Sequence, residues 1–164
     1  MCRLRWRSLR PCWKMSGEPL SGADAFRASL REHGQLIIAP VGQSMLPLLR
    51  PSRDTVVLEP PCFPLRRFDV ALYERPDGLI VLHRVLRAAG DEYVLRGDNQ
   101  AESETVRREQ ICAVMTGFFQ GERYFSVRSP WYRAYCRLWC GACAPRRLIA
   151  WGMDRCRALR QRLR

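Results

Sequence analysis

The chain has 164 residues, 47% of them hydrophobic, with 28 basic and 16 acidic side chains and a formal net charge of +12. That length and composition suit one globular domain with its own core and exclude an intrinsically disordered chain. Lys14 is the only lysine. Any mechanism that uses a neutral amine as base must therefore use Lys14 or do without, because arginine stays protonated.

The charge is unevenly placed. Residues 1–16 carry five basic and no acidic side chains, residues 17–122 twelve basic against fifteen acidic, and residues 123–164 eleven basic against one acidic. The excess thus sits at the two ends of a faintly acidic middle, and no specific nucleic-acid site is expected. No stretch approaches the roughly 18 consecutive apolar residues that a membrane span needs. Arg3, Arg5, Arg7 and Arg10 interrupt any secretory apolar region near the start. Residues 1–16 read as a disordered basic arm, or as an overlong start ahead of Met15. The expected location is cytoplasmic.

Residues 17–34 carry one short helix, expected over 21–33, with Ser21 or Asp24 as its cap, Phe26 and Leu30 on one face, and Gly34 as its stop. The rhythm then turns to short β-rich runs: Leu36–Ile38, Thr55–Leu58, Asp69–Tyr73, Leu79–Leu82, Glu92–Leu95, Ile111–Phe119 and Tyr124–Val127. Prolines and glycines punctuate them, and Asp77-Gly78 between two runs predicts a hairpin. The fold class is mainly β, with an antiparallel domain over 35–127.

Residues 128–164 form a basic, tryptophan-containing helical tail. Trp131, Tyr135, Leu138 and Ala142 recur with helical spacing and predict its buried stripe, and Pro145 divides it from a second helical segment over 146–164. Trp131, Trp139 and Trp151 among arginines suit peripheral contact with an anionic membrane. An ordinary basic helix pair packed on the β domain has the same composition. The eight cysteines lack the spacing of a disulfide framework. Cys136, Cys140 and Cys143 fall on one helical face, where they act as small hydrophobes rather than metal ligands. No metal or cofactor is expected.

Three segments carry chemistry. In Val41-Gly42-Gln43-Ser44-Met45-Leu46-Pro47 a serine lies between a glycine that frees the backbone and a proline that restricts it. Such a turn can present a reactive hydroxyl beside backbone N–H groups that hold an oxyanion. His83 ends an apolar run and offers a base. Asp98, in the turn Arg96-Gly97-Asp98-Asn99, offers a carboxylate to orient the imidazole. Each segment taken alone is equally consistent with plain turn or core chemistry.

Five blocks agree in order: Gly42-Gln43-Ser44-Met45-Leu46-Pro47, Asp54-Thr55-Val56-Val57, Asp69-Val70-Ala71-Leu72-Tyr73, His83-Arg84-Val85 and Arg96-Gly97-Asp98-Asn99. From Val41 to Val114 this pattern resembles the LexA/type I signal peptidase superfamily of serine peptidases, in its histidine-bearing branch. The resemblance implies a small coiled antiparallel sheet and a serine-type endopeptidase acting on a peptide or protein substrate. It assigns Ser44 as nucleophile, His83 as base and Asp98 as its orienting partner. Gly42, Gln43 and Met45 would surround the oxyanion and substrate. Asp54, Arg84, Gly97 and Asn99 would give structural support, Asp54 and Arg84 as an ion pair.

The lysine count agrees with the histidine branch, since Lys14 lies far from Ser44 in sequence and His33 has no motif around it. The chain departs from the family in having Gly42 where a serine is usual, Arg53 and Phe68 where glycines precede the two aspartates, and no membrane anchor beside the nucleophile. A self-cleaving or regulatory module of the LexA and phage-repressor kind is the alternative reading.

Overall fold

The computed structural model describes residues 22–140. The first element, α1 (Gly22–His33), buries Ala23 and Leu30 and packs Phe26 against the core. It stops where the sequence predicts. Gly34 turns left-handed at φ 72° and returns its N–H to the Leu30 carbonyl at 2.9 Å, a conformation that costs glycine least. Asp24 is not a cap. It lies in the first turn, paired with Arg27 at 3.1 Å, while Ser21 lies outside the described residues.

Eight strands follow: β1 (Leu36–Ile38), β2 (Asp54–Glu59), β3 (Val70–Glu74), β4 (Ile80–Ala89), β5 (Glu92–Arg96), β6 (Glu104–Arg107), β7 (Ile111–Gln120) and β8 (Arg123–Ser126). They form one antiparallel sheet in the order β1-β2-β7-β3-β4-β5-β6, with β8 also paired to β7. Asp77-Gly78 makes the β3–β4 hairpin, Gly78 at φ 81° and the Asp77 carboxylate accepting from Leu79 N–H at 3.1 Å.

Side chains alternate across a strand, so a central strand can feed two cores. β3 does so. Val70 and Leu72 enter one apolar cluster with Leu48, Leu58, Met115 and Phe118, while Ala71 and Tyr73 enter a second with Val85, Tyr93, Leu95 and Val106. Register shifts at Val57/Leu58, Leu72/Tyr73 and Val85/Arg87 interrupt the ladders. Such bulges bend strands and add twist.

β4 runs well past the expected Leu79–Leu82, and β6 was not anticipated, since Glu-Thr-Val-Arg holds a single large apolar residue. After β8, Ser129 caps α2 (Pro130–Tyr135), accepting from Tyr132 N–H at 3.3 Å, with proline in the first turn where its missing N–H costs nothing. A π-type segment, Cys136–Cys140, continues it.

The buried face of this tail differs from the expected stripe. Tyr132, Cys136 and Cys140 face inward, whereas Trp131 is 50% and Leu138 71% exposed. Polar atoms in the sheet recruit the hydroxyls and thiols of the other face, as described below. Ala142, Cys143 and the segment 146–164 lie outside the described residues, as do residues 1–21. Among the described residues no helix is long and apolar enough to cross a membrane, and no three His, Cys, Asp or Glu side chains cluster as metal ligands.

Candidate active site

Ser44 sits half-buried in the turn between β1 and β2. The turn begins at Gly42, whose φ of 88° would strain any other residue. It is pinned from below by Met45, Leu48 and Leu49, all buried in the first core. Leu46 N–H bonds the Gln43 carbonyl at 3.2 Å and Leu49 N–H bonds the Met45 carbonyl at 3.0 Å. Met45, expected beside the substrate, therefore sends its side chain into the core and offers a substrate only its backbone. Among the described residues, the N–H groups of Gln43, Ser44 and Met45 donate to no acceptor within the chain. Such donors suit an oxyanion.

The turn after β5 clamps Ser44 from the other side. Asn99 N–H donates to the Ser44 carbonyl at 2.8 Å, and the Asn99 amide reaches the Gln43 carbonyl at 3.4 Å. Gly97 leaves no room for a side chain, because a Cβ there would lie 2.7 Å from the Ser44 carbonyl oxygen and 3.0 Å from its Cβ. Arg84 pairs with Arg96 across β4 and β5. His83 and Gly97 are the residues next to that pair in the chain. Close approach at glycine thus seats the serine turn against the end of β5. No hydrogen bond joins Ser44 to His83 among the described residues, and catalytic bonds of this kind often tighten only around substrate.

Gly97→Ala is expected to displace the Ser44 turn. Forcing a methyl into a filled space costs about 1–3 kcal/mol, so both the melting temperature and the reactivity of Ser44 should fall. Thermal denaturation and probe labelling measure the two effects.

His83 is 1% exposed. Its Nδ1 lies 2.9 Å from the Tyr73 hydroxyl, which donates to Glu104 Oε2 at 3.0 Å. Arg75 holds Glu104 through Nε at 2.7 Å and through Nη2 on the other oxygen. Glu104 Oε1 stands 3.7 Å from His83 Nδ1. Burial pushes the His83 pKa below its ordinary value of 6.5, with Glu104 opposing the shift. The Arg75 hydrogen bond holds the Glu104 carboxyl below its usual range. Burial, reinforced by Glu104, raises the Tyr73 phenol.

The hydrogen bonds of the Asp98 carboxylate go to partners other than the expected His83. Asp98 takes Arg84 Nε and Nη2, each at 2.7 Å, and the Tyr135 hydroxyl at 3.0 Å. Its carbonyl accepts from the Trp139 indole at 3.1 Å, and Cys140 lies against its carboxylate. Arg84, with no exposed surface, also donates through Nη1 to the Phe68 carbonyl, the Tyr132 hydroxyl and Cys136 Sγ. This hub draws Tyr132, Cys136 and Cys140 inward and turns the tail away from its expected stripe.

The expected pairing of Asp54 with Arg84 is corrected as well. Asp54 is bound by its neighbour Arg53 at 2.6 Å and by Arg50 N–H at 2.8 Å. Burial works against its charge, and these donors outweigh it to hold the carboxyl below its usual value.

Sequence reasoning missed Glu104, Tyr73 and Arg75 as the groups around His83. Tyr73 was visible only as the end of a β-rich block. Glu104 lies in a polar stretch with no apolar pattern, and its pairing with Leu95 across β5 and β6 places it beside the histidine. In comparisons with known proteins, no family model, curated protein or solved structure matches the chain. The assembled parts are a hydroxyl in a constrained turn, backbone donors around it, and a buried imidazole whose Nδ1 meets a tyrosine hydroxyl bonded to a carboxylate. Those parts suit nucleophilic acyl transfer.

Proposed function

We propose that the protein is a serine endopeptidase with a sheet of the signal-peptidase/LexA kind, in which Ser44 is the nucleophile and His83 the base. The observation that carries this reading is the packing of Ser44 against Gly97, which follows Arg96, the cross-strand partner of the Arg84 next to His83. His83 takes the Ser44 proton as Oγ bonds to the peptide carbonyl carbon. The C–N bond then breaks, His83 passes the proton to the leaving amine, and water hydrolyses the acyl ester.

The substrate is an extended peptide. Among the described residues β1 pairs only with β2, so its outer edge offers unpaired main-chain groups along the strand that leads to Ser44. Ile37 and Val41, both well exposed, line that approach.

A fluorophosphonate probe tests the assignment. Wild-type protein is expected to be labelled at one site, and Ser44→Ala to lose the label while melting at the same temperature. Equal labelling of the two proteins would overturn the assignment.

A further inference from the structure

We infer that Tyr73 is a positioning residue for the base, its hydroxyl interposed between His83 and Glu104 so as to fix the imidazole proton on Nδ1. The inference rests on the reading of His83 as the base for Ser44. A neutral imidazole has one N–H and one bare nitrogen. For Nε2 to receive the serine proton, the ring proton must stay on Nδ1. Burial excludes water as the partner of that N–H, and an unpartnered buried donor is costly.

A carboxylate can accept from Nδ1–H directly, as in the Ser-His-Asp triad. Here Glu104 stands 3.7 Å away, beyond hydrogen-bond range, and the Tyr73 oxygen occupies the place at 2.9 Å. The polarity follows from proton counting. Arg75 keeps Glu104 ionised, so Glu104 can only accept. The single phenolic proton therefore points to Glu104, 3.0 Å away. A lone pair of the same oxygen is then turned to His83 and accepts from Nδ1–H. The reverse arrangement would set phenol and carboxylate lone pairs face to face. The chain of groups is thus His83 Nδ1–H to Tyr73, Tyr73 O–H to Glu104, and Arg75 beneath.

The charged and titratable groups around the ring are Tyr73 on β3, Arg75 just past its end, Glu104 on β6, and Asp98 in the turn after β5. Glu104 and Asp98 favour the imidazolium formed during turnover, and Arg75 disfavours it. Tyr73 links this charge set to the ring and chooses the tautomer.

Histidine 15N NMR tests the tautomer without reference to activity. The chain has only His33 and His83, and His33 is exposed, so the spectra separate. In a Ser44→Ala background His83 is expected as the Nδ1–H form. Tyr73→Phe should populate the Nε2–H form and, with Ser44 restored, slow probe labelling by up to about 10⁴-fold, the loss associated with a wrong tautomer.

Glu104→Gln keeps the phenol but removes the anion that directs its proton, and should cause the same redistribution if Tyr73→Phe fails to fold. An Nε2–H tautomer in the parent protein would overturn the inference. So would a Tyr73→Phe protein with unchanged tautomer and labelling. If labelling proves independent of Ser44, the peptidase reading falls, while the NMR result still decides the role of Tyr73.

Discussion

Asp98→Ala is expected to cost the protein about 3–5 kcal/mol, because it strands the buried Arg84 guanidinium without its counter-charge. Asp98 is 2% exposed and Arg84 not at all. Burial acts against the Arg84 charge, and Asp98 more than restores it. The loss extends beyond one pair. The Asp98 carboxylate also anchors Tyr135, and its turn anchors Trp139 and the Ser44 carbonyl. A drop in melting temperature of roughly 10 °C or more follows from that cost in a domain of this size.

Were Asp98 the orienting acid of the base, the variant would instead keep its melting temperature and lose only turnover. Thermal denaturation beside probe labelling separates the two. The double variant Arg84→Met/Asp98→Leu should recover part of the loss, since replacing both members of a buried pair removes the unpaired charge. Recovery stays partial because the Phe68 carbonyl and the Tyr132 and Tyr135 hydroxyls lose their partners.

His83→Ala is expected to lower labelling of Ser44 by on the order of 10⁶-fold, the scale seen when a triad base is removed. Its pH dependence gives a second reading. Burial depresses the His83 pKa below 6.5, so the neutral, base-competent form is present at and above that pH. Labelling by wild-type protein should hold at pH 6.5 and fall only as pH drops through the depressed value. A midpoint above 6.5 would contradict this.

Stability follows the same sign. Between the unfolded pKa and the lower folded one, the unfolded chain binds more protons, so stability declines as pH falls through that window. His83→Ala should remove that segment of the stability profile. Glu104 and Asp54, whose carboxyls are held below 4.5 and 3.8, contribute acid lability in a lower window.

The sequence by itself determined the mainly antiparallel β class, the helix ending at Gly34 and the Asp77-Gly78 hairpin, and it singled out Ser44 and His83 as candidates. These rest on local properties: alternation, turn chemistry and left-handed glycines. Only the tertiary structure decided which polar group meets which. Asp98 follows Gly97 at the end of β5, close in sequence to the histidine block, yet its carboxylate turns to Arg84. The carboxylate that reaches His83 through Tyr73 is Glu104, 31 residues from Tyr73 in the chain and on a strand whose composition hides it. The inward face of α2 was decided in the same way, by the Arg84–Asp98 hub rather than by apolar spacing.

The physical reason is common to all three. A buried polar group is stable only where partners complete its hydrogen bonds. Which partners come within 3 Å is set by cross-strand register, bulges and the close approach at Gly97, and none of these is written in the periodicity of a single segment.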